Sequence, residues 1–318
     1  MKAAIVWEAG KPPVYGEFKD PPPSTRDRLI AVAAAALSPL TKSRASGAHY
    51  SSSRRFPFVA GVDGVGRLDD GRRVYFFLPE EPYGAMAERT VAPASQCAPV
   101  PDALDDITAA ALANPGMSSW AAFKERAKLV AGENVLINGA TGTAGRLAVQ
   151  IAKYLGAKKV IATGRNVEIL KSLASLGADV AIPLVEDADA LEDAFKKPLA
   201  DGVDVVIDYL WGKSAERLLS AAAKAGKPHV PIRFVQVGSA SGSDIALPSA
   251  VLRSSAIELL GSGLGGVPGD RLVAAIAEML QAAVAAGFQM AAKTVALSEV
   301  ESAWSKDTGE ARIVFTVD

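Results

Sequence analysis

Three glycines at a spacing of three, Gly139, Gly142 and Gly145, stand between two patterned stretches. Before them runs apolar Val135-Leu136-Ile137; after them Leu147, Ala148, Ile151, Ala152 and Leu155 recur with helical period. Strand, glycine turn and helix in that order suit a negatively charged group. A turn bare of side chains lets a pyrophosphate approach the backbone, and the helix aims unpaired amides at it. The spacing G-x-x-G-x-x-G differs from the commoner G-x-G-x-x-G, so the pattern alone is a weak signal, and a crossover whose glycines serve helix–strand packing only is the plainer alternative. The following segment, 159–163, reads as a second strand, which completes a β-α-β unit of roughly 30 residues. Dinucleotide binding is therefore expected of Gly139, Thr141, Gly142, Thr143, Ala144 and Gly145.

The end of that second strand distinguishes the coenzymes. A site for NAD carries an acid there to bond the ribose 2′-hydroxyl. This chain has Gly164, Arg165 and Asn166 instead. A guanidinium grips a 2′-phosphate through parallel hydrogen bonds, where a carboxylate would repel it. The expected cofactor is NADP(H); a solvated loop arginine is the plainer alternative.

The elements that must position these residues show a change of texture along the chain. Through residue 110, short apolar stretches (3–7, 29–36, 73–77, 87–91) are interrupted by turns such as Pro21-Pro22-Pro23 and Asp69-Asp70-Gly71, the punctuation of antiparallel β structure. Helical pattern at 109–112 and 119–129 leads into the glycine turn. Strands at 160–163, 180–183, 203–207 and 233–237 then alternate with helices at 168–176, 188–195 and 215–225, which predicts a parallel sheet covered on both faces. A long helix over 269–286 and strand-like segments at 293–296 and 311–317 complete the chain.

Composition narrows the function classes. The chain has 318 residues, enough for two domains. Lys plus Arg number 34 against 35 Asp plus Glu, and no run of one sign stands out, which argues against nucleic-acid or anionic-membrane partners. One cysteine, Cys97, cannot form an internal disulfide and fits a reducing cytoplasm.

Several further stretches carry a resemblance. They are 56–66 (FPFVAGVDGVG), 114–120 (NPGMSSW), 139–145 with Ala148-Val149-Gln150-Ile151-Ala152-Lys153, Leu176-Gly177-Ala178-Asp179, and 203–208 (VDVVID). With them, nearly the whole chain resembles the medium-chain dehydrogenase/reductase superfamily, and within it the zinc-free quinone oxidoreductase branch. The resemblance implies an α/β fold: a GroES-like β domain over 1–115 and 267–318, which takes the substrate, and a Rossmann-type doubly wound parallel sheet over 116–266, which takes NADP(H). It also implies a homodimer. Zinc members of the superfamily place metal ligands where this chain has Ser38, Val62 and Asn114. Valine cannot coordinate a metal and a serine hydroxyl is a poor substitute for a thiolate, so no metal is expected.

Without a metal to polarise an alcohol, the expected reaction is hydride transfer from NADPH to a quinone or an α,β-unsaturated carbonyl, a small-molecule substrate whose conjugation spreads the arriving charge. The expected catalytic residues are His49, Tyr50, Ser38 and Thr41. His49 is a candidate proton donor to an enolate, and Tyr50 a donor to the carbonyl or a stacking partner. Ser38 and Thr41 are candidates to bond a substrate oxygen or the ribose, with turn formation an equal alternative. The resemblance places Asn114 and Ser118 at the floor of the cleft and Val237, Gly238 and Ser239 against the nicotinamide, with Gly261, Ser262 and Gly263 on the far side. The loss of the branch's usual polar trio near Ser38 leaves a second reading open, an NADP(H)-binding protein with little catalysis and a regulatory or structural role.

Overall fold

The structure is a computed structural model that describes residues 1–22, 27–53, 55–306 and 311–317; Pro23 of the proline run lies outside them. The strands are β1 (Lys2–Val6), β2 (Val14–Glu17), β3 (Asp27–Ala36), β4 (Phe58–Val59), β5 (Asp63–Leu68), β6 (Arg73–Phe77), β7 (Arg89–Pro93), β8 (Cys97–Pro99), β9 (Asn134–Asn138), β10 (Lys159–Gly164), β11 (Val180–Pro183), β12 (Val205–Asp208), β13 (Ile232–Gln236), β14 (Ile257–Gly261), β15 (Ala292–Ala296) and β16 (Arg312–Thr316). The helices are α1 (Pro39–Ala45), α2 (Asp106–Ala121), α3 (Thr143–Tyr154), α4 (Val167–Ser172), α5 (Ala188–Asp201), α6 (Gly212–Ala225), α7 (Ser249–Arg253), α8 (Gly269–Ala286) and α9 (Val300–Ala303).

The chain forms two compact units, one of Met1–Asn114 with Leu272–Asp318 and one of Pro115–Arg271. The first is built on antiparallel pairs of β3 with β5, β7 and β16, and of β5 with β6, as the turn-rich N-terminal texture predicts. Its core gathers Ile30, Phe76, Met86, Trp304 and Phe315. The second unit carries a wholly parallel sheet in the order β11-β10-β9-β12-β13-β14, the doubly wound order, with its topological switch between β9 and β12. Its inner strands β9, β10 and β12 read as near-continuous apolar runs because both their faces are covered. Among the described residues, no helix is long and apolar enough to cross a membrane.

One expectation needs correction. The pattern breaks at Pro115 and suggested two helical pieces, yet α2 runs unbroken from Asp106 to Ala121 with Pro115 inside it. A proline within a helix removes one backbone donor and leaves the carbonyl four residues earlier without its partner. That carbonyl belongs to Ala111, and Nη1 of Arg312 donates to it at 3.3 Å. Arg312 is buried, and so is Asp63, which accepts from the Tyr75 hydroxyl at 3.0 Å. Burial pushes the Asp63 carboxyl up to about 6 against the opposing pull of the Arg312 charge and the Tyr75 bond. Arg312→Met removes the donor to α2 and strands a buried carboxylate, so it is expected to cost about 3 kcal/mol or more, read as a lower urea midpoint.

Candidate functional site

The glycine turn forms where β9 ends and α3 begins. Leu147, Ala148, Ile151 and Ala152 of α3 are fully buried, as their helical spacing predicts. Gly139 adopts φ +90°, a conformation other residues rarely reach. Gly142 is the N-cap of α3 and offers no side chain to the first-turn amides, so those of Thr143, Ala144 and Gly145 lack both an intrahelical acceptor and a side-chain cap. A Cβ on Gly145 would lie 2.3 Å from the Gly139 carbonyl oxygen and 2.6 Å from Ala140 Cα. A Cβ on Gly142 would meet nothing closer than 3.6 Å. Gly145 is therefore demanded by the protein's own packing; Gly142 is not.

The parallel register then sets the other cofactor candidates at the same end of the sheet. Asn138 of β9 pairs with Asp208 of β12, Asp208 with Gln236 of β13, and Gln236 with Gly261 of β14. Val237, Gly238 and Ser239 follow β13, Ser262 and Gly263 follow Gly261, and Arg165 and Asn166 follow β10. Carboxyl ends of strands at a switch point are where open α/β sheets take ligands. Arg165 is exposed and has no hydrogen-bond or ion-pair partner among the described residues. Lys171, by contrast, is held by Glu168 at 3.1 Å. Asn166 has a local duty as the N-cap of α4, accepting from Ile169 N at 3.0 Å.

A buried polar chain that the sequence reading missed anchors this turn. The Gly139 amide donates to Thr163 Oγ1 (3.1 Å), Thr163 donates to Asn138 Oδ1 (2.7 Å), and Asn138 Nδ2 donates to Asp208 Oδ1 (2.8 Å). The amides of Leu210 and Trp211 also donate to Asp208. The available signal was a polar residue closing each of three apolar strands at equivalent places, Asn138, Thr163 and Asp208. Burial pushes the Asp208 carboxyl from the ordinary 3.8 up to about 6, against these donors. A carboxyl whose pKa rises on folding holds its proton more tightly in the folded chain. That contribution to stability is present below about 4 and is lost as pH rises through about 6. The difference in Tm between the unsubstituted chain and Asp208→Asn is thus expected to shrink between those pH values, by roughly 2–3 kcal/mol in stability terms.

On α2, Asn114 Nδ2 is buried without a hydrogen-bond partner among the described residues. Such a donor costs free energy unless something accepts from it. Ser118, one turn on, donates to Pro115 O at 2.9 Å. Its neighbour Ser119 is buried and shares a 2.7 Å hydrogen bond with the Tyr209 hydroxyl. The four catalytic candidates all fall in the first unit, where they form two local pairs. Ser38 caps α1: its Oγ accepts from Thr41 N and lies 3.0 Å from Thr41 Oγ1, both side chains being buried. The His49 and Tyr50 rings stack with centroids 4.1 Å apart. His49 Nδ1 accepts from Ser51 N at 3.2 Å, which assigns the proton of the neutral ring to Nε2. Partial burial, helped by the Arg44 charge, lowers its pKa and favours that neutral ring.

Comparison with known proteins agrees with this architecture. A family described as "Zinc-binding dehydrogenase" matches residues 144–285. A probable NADPH-dependent quinone reductase of Emericella nidulans is 30% identical, with 99% of each chain covered. A quinone oxidoreductase of Rattus norvegicus is 32% identical over 71% of each. Among solved structures, the quinone oxidoreductase of Thermus thermophilus, determined alone and with NADPH, superposes with a TM-score of 0.82 at 26% identity, covering 99% of this chain and all of that one. With an NADPH-dependent quinone reductase alike end to end, and the doubly wound sheet in its expected place, the chain belongs to the medium-chain dehydrogenase/reductase superfamily, in its quinone oxidoreductase-like branch.

Proposed function

We propose that the chain is a zinc-independent oxidoreductase that passes hydride from NADPH to a quinone or an α,β-unsaturated carbonyl. The observation that carries this reading is the turn Gly139–Gly145 at the head of α3 with the exposed Arg165 guanidinium, which has no ion-pair partner among the described residues, at the end of β10. A related probable quinone reductase bears NADPH in its name, and the solved Thermus thermophilus quinone oxidoreductase was determined with NADPH, which supports the same coenzyme here. In this reading the unit Pro115–Arg271 binds NADP(H) and the other unit takes the substrate. The donor set argues for zinc independence: Val62 has no ligand atom, and the Ser38 hydroxyl is already bonded to Thr41.

The residues divide the work by position. The first-turn amides of α3 hold the pyrophosphate, and Arg165 holds the 2′-phosphate. Asn114 Nδ2 supplies a donor for the nicotinamide or the substrate oxygen, and the backbone of Val237–Ser239 and Gly261–Gly263 orients the ring. NADPH supplies the hydride; conjugation in the acceptor moves the charge to a distant oxygen, so positioning and hydrogen-bond donors suffice. A neutral His49 with its proton on Nε2, and the Tyr50 hydroxyl beside it, serve as donors to that oxygen rather than as strong acids.

Strand β14 supports a homodimer. It pairs only with β13 among the described residues, leaving an edge on which Leu259 is 40% exposed, and an unpaired edge is a template for a second strand. The engagement of Ser38 and Thr41 with each other supports the second reading, a coenzyme-binding protein with little catalysis. NADPH oxidation measured over a panel of quinones and 2-alkenals separates the two. Turnover is expected with at least one acceptor; tight NADPH binding with none would favour the second reading.

A further inference from the structure

We propose that the unit Met1–Asn114 with Leu272–Asp318 carries a second anion site, an arginine-walled cavity for a phosphate-bearing small molecule. The cavity measures about 570 Å³, within the size range of small-ligand sites. Arg28, Arg67, Arg72 and Arg73 line it, together with Cys97 and one acidic residue, Asp102. The strands force the crowding. Arg67 of β5 lies directly opposite Arg73 of β6 in the antiparallel register, so both side chains leave the same face of the sheet. Like charges placed opposite each other are unfavourable unless something neutralises them.

Two of the four guanidinium groups are neutralised internally. Arg73 is held by Asp106 at 2.9 Å and donates to Leu104 O at 2.5 Å. Arg72 is held by Asp70 at 2.7 Å. The other two have no ion pair among the described residues. Among those residues Arg67 donates to the Gly71 carbonyl, at 3.4 Å, and Arg28 forms no ion pair, its charge acting on the Asp70 carboxylate from a distance. Two unspent guanidinium groups beside two anchored ones match phosphate oxygens, which accept parallel N–H donors at several edges. The net charge of −1 favours a small anion over a polymer. This site is independent of the glycine turn, which lies in the other unit.

Cys97 gives the cavity its own reporter, because it is the only cysteine in the chain. Its thiol is half-buried and pushed up to about 11, chiefly by burial, with the Arg28 charge opposing. An anion seated on Arg28 both screens that charge and blocks access. The test is alkylation of Cys97 in the full chain at mildly alkaline pH, with sodium tripolyphosphate, ATP or sodium sulfate added. Tripolyphosphate is expected to slow labelling saturably, and sulfate much less. ATP matching tripolyphosphate would identify a nucleotide as the phosphate carrier, and weaker protection by ATP a non-nucleotide phosphate. The double variant Arg28→Gln/Arg67→Gln is expected to weaken tripolyphosphate by at least about tenfold, since each charged hydrogen bond contributes on the order of a decade in affinity. Isothermal titration of the same pair checks that the loss is one of binding. Labelling unaffected by tripolyphosphate, equal protection by sulfate, or a double variant that binds as the parent does would each overturn the proposal.

Discussion

Arg165→Ala is expected to weaken NADPH by about tenfold to a hundredfold while changing NADH by less than about twofold. The asymmetry follows from what the side chain touches. Within the protein it is exposed, with no hydrogen-bond or ion-pair partner among the described residues, so its removal should leave the fold alone. NADPH differs from NADH by the 2′-phosphate, and a guanidinium on that phosphate contributes one or two charge-assisted hydrogen bonds. Salt should erode the preference, because an exposed pair is screened at high ionic strength. Equilibrium titrations of both coenzymes against both proteins, at low and high salt, check this. Equal loss for the two coenzymes would remove Arg165 from the 2′-phosphate.

The second large effect separates two glycines that look alike in the sequence. Gly145→Ala puts a methyl group 2.3 Å from a backbone oxygen that no rotamer change can move. The turn or the helix must shift, at a cost of roughly 3 kcal/mol, which corresponds to a fall of roughly 6–12 °C in Tm. Coenzyme binding goes with it. Gly142→Ala meets no such obstacle: its φ of −78° and ψ of 165° suit any residue, and the nearest atom is 3.6 Å away. Its Tm should stay within about 2 °C, the scale of a modest N-cap change. Its affinity for NADPH should still fall by at least about tenfold, because the methyl group would occupy the approach of the pyrophosphate. Thermal melts and coenzyme titrations on both variants distinguish a glycine kept for packing from one kept for a ligand.

What the sequence made legible was local. The strand at 180–183, the helix over 269–286 and the β-α-β unit around the glycines all follow from periodicity and punctuation, and the structure places them within a residue or two. The misses share a different cause, namely that they are decided by partners distant in sequence. Helix α2 survives Pro115 because Arg312, about 200 residues later, supplies a donor to the carbonyl of Ala111. Strand β14 carries half-exposed Ile-Glu-Leu-Leu-Gly, with no clean alternation, and becomes a strand by pairing with β13. The Asn138–Thr163–Asp208 chain joins three strands whose order no local pattern states. Ser38 is the exception: Ser-Pro before a short helical run is a legible N-cap signal, and its structural duty was there to be read.

The account rests on the turn after β9 holding a coenzyme that bears a 2′-phosphate. Its most direct test is equilibrium titration of the unsubstituted chain with NADPH and with NADH, followed by coenzyme fluorescence. NADPH is expected to bind at one site per chain and at least about tenfold more tightly than NADH. Binding of neither coenzyme, or of both with equal affinity, would contradict it.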